Sequence, residues 1–342
     1  MTQANVLAQL GSTSGPTNRN RIINGAMMIS QYNGTSSSTP GGDGYFIDRY
    51  RTVFTGSTKF TTAQNLNSIT PPVGFINYAG LQVATAGSIA AGDINSFAQY
   101  IEGVNVSDLA WGTSNAKTVT LSFWARSNVT GTFGGSLINS AYNRSYPFTY
   151  TINSANTWEY ETITIAGDTS GTWLTTTGVG IRVVWSLGTG TTYSGTAGAW
   201  AGAAYYSATG ATTIMASTSN VFYITGVQLE VGTSATGFEY VNYQTSLANC
   251  QRYYEVISTN SAQFSFITCN SAGTGDNRAA LQFKVTKRAT PTFALFSGAS
   301  WATATPTIYS AIDSIAIYSP SQSVYLSTTS ASASALGVSA EL

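Results

Sequence analysis

The sequence predicts an all-β protein, and three observations support this class. Short segments in which β-branched or aromatic residues alternate with polar ones recur along most of the chain, separated by clusters of Gly, Asn, Ser and Thr. Helical spacing of apolar residues stands out in one segment only, residues 245–256. The 342 residues are 43% hydrophobic and 12% aromatic, enough for one large core or two ordinary ones. We therefore predict an antiparallel β-sandwich, a short helix and a second, smaller β domain.

The N-terminal residues 1–19 are polar and end in GSTSGPTN, a composition typical of a flexible arm. We predict that this arm attaches the chain to a larger assembly. It contains no basic stretch followed by an apolar one, and no part of the chain approaches the ~18 apolar residues that a membrane helix needs. We expect a protein that is made in the cytosol and is not inserted into a membrane.

Residues 20–241 are predicted to form the main β domain. In KTVTLSFWARS (117–127) the side chains of Val119, Leu121, Phe123 and Ala125 fall on one face of a strand. The number and spacing of such segments suit an antiparallel sandwich. The other clear strand candidates are WEYETITIAG (158–167), VGIRVVWSL (179–187) and NVFYITGVQLE (220–230).

Residues 242–260 are predicted to be a helical connector, in which Thr245 or Ser246 caps the helix and Leu247, Cys250 and Tyr254 share a face. Such a helix connects two β domains, contacts other subunits of a trimer, or simply packs against the sandwich. Residues 261–342 are predicted to form the C-terminal β domain. Its strand candidates are SAQFSFITCN, RAALQFKVTK, ATPTFALFS, AIDSIAIYS and SVYLSTTS.

A long stretch rich in Gly and Ala begins at Leu187 and ends at Thr218. A structureless loop of this length is unusual in a compact domain, so we expect either a binding loop or an excursion ordered by its neighbours at a subunit interface. Aromatic faces stack on sugar rings, and nearby amides and hydroxyls fix the orientation of the sugar. The candidate glycan-binding residues are Trp200, Tyr205 and Tyr206 in this stretch and Tyr142 and Tyr146 in NSAYNRSYP. Packing in the core or at a subunit interface is the alternative role for each.

Only 8% of the residues are charged, against roughly 25% in an ordinary soluble domain. Fourteen basic and fourteen acidic residues cancel without forming runs, so we expect no nucleic-acid partner. A chain with so little net charge is expected to oligomerise. We expect Asp48 or Glu230 to pair with Arg49 or Arg126, because charges beside apolar residues need partners. The two cysteines, Cys250 and Cys269, are expected to be unpaired thiols.

The chain has no histidine, which removes the Ser-His-Asp and Cys-His nucleophile systems and His-ligated metals. Two carboxylates could still hydrolyse a glycoside, and Glu159 with Glu161 is the one tight acidic pair. Their position on one face of a strand favours a solvated edge instead. No glycine-rich stretch links a strand to a helix as a phosphate loop does. We expect a protein that is not an enzyme and has no cofactor.

Four segments together resemble tail fibre and head fibre proteins of tailed bacteriophages, whose main domain is a jelly roll like that of carbohydrate-binding modules. The resemblance spans residues 20–255, and KVTKRATPTFAL (284–295) also looks like a strand of their C-terminal domains. It implies a jelly-roll β-sandwich opened by the first segment, a homotrimer and a place on the virion. The four segments are NRIINGAMMISQYNG (20–34), GYFIDRY (44–50), LSFWARS (121–127) and ITGVQLEVGTSATGFEYVNYQTSLANCQRYYE (224–255).

Jelly rolls of this kind often hold a structural calcium ion, and here the sequence departs from the pattern that the resemblance implies. Met27 and Met28 stand where a Phe-Glu pair is common, and Thr225-Gly226 stands where an Asp is common. Two carboxylate ligands are therefore missing. We expect no bound metal.

The expected function is that of a homotrimeric virion appendage, a tail fibre or similar fibre, assembled in the host cytoplasm and contributing to adsorption on the host surface. Its partners would be other virion proteins, bound through the arm of residues 1–19, and a host-surface glycan or protein. Two alternatives stay open: a receptor-binding lectin-like module for host glycans, and a capsid decoration or head fibre protein. The sequence does not separate tail from head placement.

Overall fold

The computed structural model describes residues 18–34, 36–39, 43–55, 59–258, 263–267, 276–295, 299–301, 307–320, 324–328 and 336–342. Residues 1–17 of the predicted arm and Cys269 lie outside this set. The chain forms two compact units, Met1–Val241 and Asn242–Leu342. The predicted all-β class is confirmed, because the described residues contain many antiparallel strands and a single α-helix. That helix is too short and polar to cross a membrane.

The first unit is an antiparallel jelly-roll β-sandwich. Its strands, in chain order, are β1 (Gly44–Ile47), β2 (Tyr50–Phe54), β3 (Phe60–Gln64), β4 (Ala79–Val83), β5 (Ile94–Glu102), β6 (Val119–Ser127), β7 (Gly131–Asn139), β8 (Ser145–Ile152), β9 (Glu159–Ile165), β10 (Val179–Thr189), β11 (Ser194–Gly195), β12 (Ser207–Ala208) and β13 (Val221–Val231). One large sheet has the order β1-β2-β5-β10-β7-β8 and the other β3-β4-β13-β6-β9. The chain passes repeatedly from one sheet to the other, so each sheet combines hairpins such as β7–β8 and β3–β4 with strands that are distant in sequence.

Side chains from the inner faces of both sheets form one core. Val119, Leu121, Phe123 and Ala125 of β6 are all completely buried, which confirms the predicted alternation. At the centre, Trp185 of β10 stacks on Phe97 with ring centroids 5.2 Å apart and meets the edge of Phe123 at 5.8 Å. Burying each large apolar side chain contributes about 1.5–3 kcal/mol. This aromatic centre therefore fixes how the two sheets face each other.

The prediction that residues 20–34 open the sandwich as a strand is wrong. This segment consists of turns and extended residues that form no regular strand. Two backbone hydrogen bonds join it to β13, Arg21 N to Leu229 O (2.8 Å) and Val227 N to Gly25 O (2.9 Å), and side-chain amides bind other parts of its backbone. Gln99 accepts a hydrogen bond from Ile23 N (2.8 Å) and donates to Ile23 O (2.9 Å). Gln64 donates to Met27 O (2.6 Å). The segment inserts the Met27 side chain into the core and closes one end of the sandwich.

Neither Asp48 nor Glu230 forms an ion pair with the predicted Arg49 or Arg126. Burial raises the pKa of Asp48, and the nearby charge of Arg49 only partly opposes this rise. Both oxygens of buried Asp48 accept hydrogen bonds from Gln31, from its backbone N (2.5 Å) and its side-chain Nε2 (2.6 Å). Glu230 lies 3.5 Å from the Nε atom of Arg19 and accepts hydrogen bonds from both the backbone and the hydroxyl of Thr236. Spacing along the chain could not identify these partners, because Arg19 and Glu230 meet only when the sandwich closes.

Glu239 holds the start of the described chain. Its two carboxylate oxygens accept hydrogen bonds from Asn18 N and Asn20 N, each 2.8 Å long. Asn18 and Arg19, at the end of the predicted arm, are therefore tied to the sandwich.

The second unit contains the helix α1 (Tyr243–Gln251) and three three-stranded sheets. The helix begins two residues earlier than predicted, because Asn242 is its N-cap and accepts a hydrogen bond from Thr245 N (2.9 Å). Tyr254, predicted on the helix, lies in a strand instead. The strands are β14 (Tyr254–Ser258), β15 (Gln263–Ile267), β16 (Asp276–Gln282), β17 (Thr292–Leu295), β18 (Ala299–Trp301), β19 (Thr307–Ser310), β20 (Ser314–Pro320), β21 (Val324–Thr328) and β22 (Leu336–Ser339).

A buried ion pair holds the chain before β17. KVTKRATPTFAL is a strand only from Thr292 onward. Before it, the completely buried ammonium of Lys287 lies 2.5 Å from Glu255 and donates to Gln251 O at the end of α1 (2.5 Å). Cys250, on the same helix, is a fully buried thiol.

Candidate functional site

The middle of the long stretch from Leu187 to Thr218 folds onto the outer face of the six-stranded sheet, whereas Leu187, Ile214 and Met215 near its ends belong to the core. Backbone hydrogen bonds join it to β7 and β8, including Thr212 N to Thr132 O (2.7 Å) and Ala201 N to Ser145 O (2.8 Å). A side chain at Gly134, which points outward from β7, would meet Ser207 Oγ of β12 at 2.3 Å, so the two backbones are in close contact. The stretch is therefore an excursion ordered by its neighbours within the same unit.

Tyrosine and arginine side chains form a continuous row across this outer face, which we call the tyrosine–arginine row. The members on strands alternate with core residues: Arg182 lies between Ile181 and Val183 of β10, both in the core, and so points outward. The row consists of Tyr32, Tyr45 on β1, Arg51 on β2, Tyr100 on β5, Arg182 on β10, Tyr142 in the β7–β8 turn, and Tyr206 and Tyr193 in the excursion.

The members of the row contact one another at stacking or cation–π distance, except that Tyr142 and Tyr206 are joined by a hydrogen bond between their hydroxyls. Tyr32 stacks on Tyr45 with ring centroids 5.5 Å apart. The guanidinium of Arg51 lies 5.5 Å from the ring centroid of Tyr45 and 5.1 Å from that of Tyr100. At the far end, Tyr193 and Tyr206 meet edge to face at 5.8 Å. The four strands β1, β2, β5 and β10 span roughly 15 Å at the usual spacing between neighbouring strands.

Arg182 lies in the middle of the row between two tyrosine rings. Its guanidinium is 5.0 Å from the ring centroid of Tyr100 and 3.8 Å from that of Tyr142. The Tyr142 hydroxyl contacts the hydroxyls of Tyr100 and Tyr206, and burial raises the pKa of both of these groups. Tyr142 itself is 42% exposed. The row thus offers aromatic surface, phenol hydroxyls and cations side by side.

The structure brings together two of the five predicted site residues. Tyr142 and Tyr206 belong to the tyrosine–arginine row. Tyr205 is half-buried beside Gly195 in the excursion, and its backbone N donates to Ser145 Oγ (3.1 Å). Tyr146 and Trp200 lie elsewhere and pack against each other with ring centroids 5.2 Å apart. A binding role for these five residues stays a prediction.

Tyr146 and Trp200 belong to a cluster whose tryptophan N–H groups all donate hydrogen bonds within the protein. The Trp200 ring meets those of Trp111 and Trp173 at 5.3 and 5.4 Å, edge to face. Its indole Nε1 donates to Ala166 O (2.8 Å). The neighbouring Arg144 and buried Asp168 form a two-pronged ion pair of 2.8 and 2.6 Å. These contacts give the cluster a packing role at one end of the sandwich.

Glu159 and Glu161 lie on the edge strand β9 but in different environments. Hydrogen bonds from the backbone and side chain of Asn153 lower the pKa of Glu159. Burial raises the pKa of Glu161, which is half-buried. Glu161, but not Glu159, is therefore less solvated than expected.

The positions where the resemblance would place calcium ligands contact one another through Asn77. The Asn77 side chain donates to the sulfur of Met28 (3.6 Å), and Asn77 O accepts from the hydroxyl of Thr225 (2.7 Å). Among the residues that the structure describes, no three His, Cys, Asp or Glu side chains form a group that could hold a metal ion.

Sequence reasoning missed Tyr32, Tyr45, Arg51, Tyr100, Arg182 and Tyr193. One signal was present in VGIRVVWSL. Alternation along this strand places Arg182 and Val183 on opposite faces, so Arg182 points away from the core when Val183 points into it. The pairing of β1, β2, β5 and β10 was needed to show that the remaining side chains share that face.

No protein-family model matches the chain, and no curated protein matches it. Several solved structures do. The enzymatically active domain of tailspike protein 4 of bacteriophage CBA120 is 13% identical with a TM-score of 0.33, and the match covers 63% of this chain but only 22% of that one. The chain thus spans less than a quarter of that tailspike domain.

Two carbohydrate-binding modules are also similar over almost their whole length. The family 11 module from Clostridium thermocellum, in complex with a β-1,3-1,4-mixed-linked tetrasaccharide, is 8% identical with a TM-score of 0.29, covering 60% of this chain and 100% of that one. The N-terminal cellulose-binding domain of Cellulomonas fimi β-1,4-glucanase C is 13% identical with a TM-score of 0.24, covering 61% and 95%. At these identities the likenesses do not place the chain in a family.

Proposed function

We propose that this protein is a non-catalytic, glycan-binding subunit of a bacteriophage fibre, and that it binds host-surface sugars on the tyrosine–arginine row. The observation that carries the proposal is the row itself. The exposed ring of Tyr142 and the half-buried rings of Tyr32, Tyr45 and Tyr193 offer flat apolar surface for sugar rings. The hydroxyls and the partly exposed guanidinium of Arg51 beside them offer hydrogen bonds that orient the sugar. The β-sheet beneath holds these groups in fixed positions.

The place of the protein on a virion is a proposal that rests on the four resembling segments and on the low charge of the chain. We propose a homotrimer in which the N-terminal arm binds other virion proteins and the β domains face outward. Light scattering on the full chain is expected to give a trimer; a stable monomer would contradict this. Labelling of intact particles separates a fibre on the tail from a decoration of the capsid.

Glycan binding is tested on an array of bacterial surface polysaccharides with the full-length chain. Tyr142→Ala is expected to weaken binding by roughly three- to tenfold, the loss of one aromatic contact. Tyr160→Ala is the matched control, because Tyr160 is 45% exposed, much like Tyr142, but lies on β9 of the other sheet. Absence of binding to every glycan, or an equal loss in both variants, would contradict the proposed site.

A further inference from the structure

Arg182 is a cation without a carboxylate in a chain where charges are scarce. It is only 6% exposed, and its Nε atom is buried without a hydrogen-bond partner. Its Nη1 atom donates to Asn139 O. Within the described residues, no Asp or Glu forms an ion pair with it. The buried charge is therefore balanced only by a carbonyl and by the two tyrosine rings.

Two other cations of this protein have the carboxylate partner that Arg182 lacks. Lys287 is buried against Glu255, and Arg144 is paired with buried Asp168. An unpaired buried charge is costly because it loses its hydration, and a cation–π contact recovers only part of that cost. A side chain held at such a cost inside a row of aromatic rings is well placed to receive an anion.

From this geometry we infer that the tyrosine–arginine row selects acidic glycans, and that Arg182 receives the carboxylate of a uronic or sialic acid unit. The inference rests on the proposed glycan-binding function and gives it a substrate class. Guanidinium and carboxylate are planar groups that form two parallel hydrogen bonds, and such bonds are strongest where water is excluded. The exposed ring of Tyr142 would flank the sugar that carries the acid.

Tyr142 covers Arg182 and must shift for a carboxylate to reach it. Its backbone lies in the left-handed region, with φ at 56°, at the tip of the β7–β8 turn. The ring is held there by its contact with Arg182 and by hydrogen bonds between its hydroxyl and those of Tyr100 and Tyr206. A sugar that displaces the ring must replace these contacts, and the exposed ring would then stack on the sugar while the guanidinium below binds the acid.

The test compares acidic oligosaccharides with the same compounds after methyl esterification, which removes the charge and keeps the sugar. The probes are oligogalacturonate, glucuronate-containing and sialylated oligosaccharides on an array, with the full-length chain. We expect binding to the acids, at least tenfold weaker binding to their esters, and weaker binding of the acids as salt is raised. Equal binding of acids and esters would overturn the inference and leave glycan binding intact. Absence of any binding, here and to neutral glycans, would overturn the proposed function as well.

Arg182→Gln is expected to lower affinity for the acids on the order of 10- to 100-fold while affinity for the esters changes little. Arg126→Gln is the matched control, because Arg126 also lies over a tyrosine ring, that of Tyr223 at 5.9 Å, and also has a buried Nε without a partner, but on β6 of the other sheet. An unchanged ratio of acid to ester affinity in Arg182→Gln would overturn the assignment. If Arg182→Gln unfolds, Arg182→Lys tests the assignment instead. Lysine keeps the charge but cannot form two parallel hydrogen bonds, so this variant should bind the acids more weakly than the wild type.

Discussion

Asp48 has a buried carboxylate whose pKa is raised to about 6 by loss of hydration, although its two hydrogen bonds from Gln31 oppose the shift. An acid whose pKa is higher in the folded than in the unfolded protein stabilises the folded state at low pH, where the acid is protonated. That contribution is complete below the ordinary pKa of 3.8 and is lost as the pH rises through about 6. Ionised Asp48 therefore lowers the free energy of unfolding at neutral pH.

We predict that Asp48→Asn removes this dependence on pH. The difference in free energy of unfolding, variant minus wild type, should rise by on the order of 2–3 kcal/mol between pH 4 and pH 7, because only the wild type then buries a charge. Chemical denaturation of both proteins across this range measures the difference. A difference that stays constant with pH would show that Asp48 does not titrate in this range.

Among the secondary-structure elements, α1 has an N-cap that its sequence did not single out. The side chain of Asn242 accepts the hydrogen bond from Thr245 N, whereas Thr245 and Ser246 were the expected caps. We predict that Asn242→Ala destabilises the second unit by about 1 kcal/mol, the usual loss of an N-cap. Thr245→Ala should change stability by only a few tenths of that. Amide hydrogen exchange in residues 243–251 measures the loss of stability in each variant. A larger loss in Thr245→Ala than in Asn242→Ala would mean that Thr245 is the cap.

The strands were predictable where alternation and burial coincide, as in β6 with its buried Val119, Leu121 and Phe123. The structure of residues 20–34 was not predictable, because the side-chain amides of Gln64 and Gln99 bind its backbone. Such contacts between residues distant in sequence leave no trace in the local sequence pattern. The candidate site was predictable only in part. Tyr142 and Tyr206 were identified as aromatic residues in polar loops, but Arg182 and Tyr100 become a site only through the pairing of β10 with β5.

At the scale of the whole molecule, the two compact units place every residue of the tyrosine–arginine row in the first. We predict that a protein of residues 18–241 alone folds, unfolds in one cooperative transition and binds the same glycans as the full chain. Thermal unfolding followed by the array used for the full chain tests this. Loss of binding in a folded fragment would mean that the second unit contributes to the site.

The N-terminal segment has a consequence for how the protein is made. Hydrogen bonds join Asn20 to Val227, Leu229 and Glu239, residues that follow it by 207, 209 and 219 positions. At about 5–20 residues per second, a ribosome needs roughly 10–45 s to add them. Until then Ile22 and Met27 have no complete core to enter, although they leave the exit tunnel before most of the strands they pack against. The sandwich thus closes only after its last strand has been translated, and a chain interrupted before Glu239 would expose an open core to chaperones and proteases.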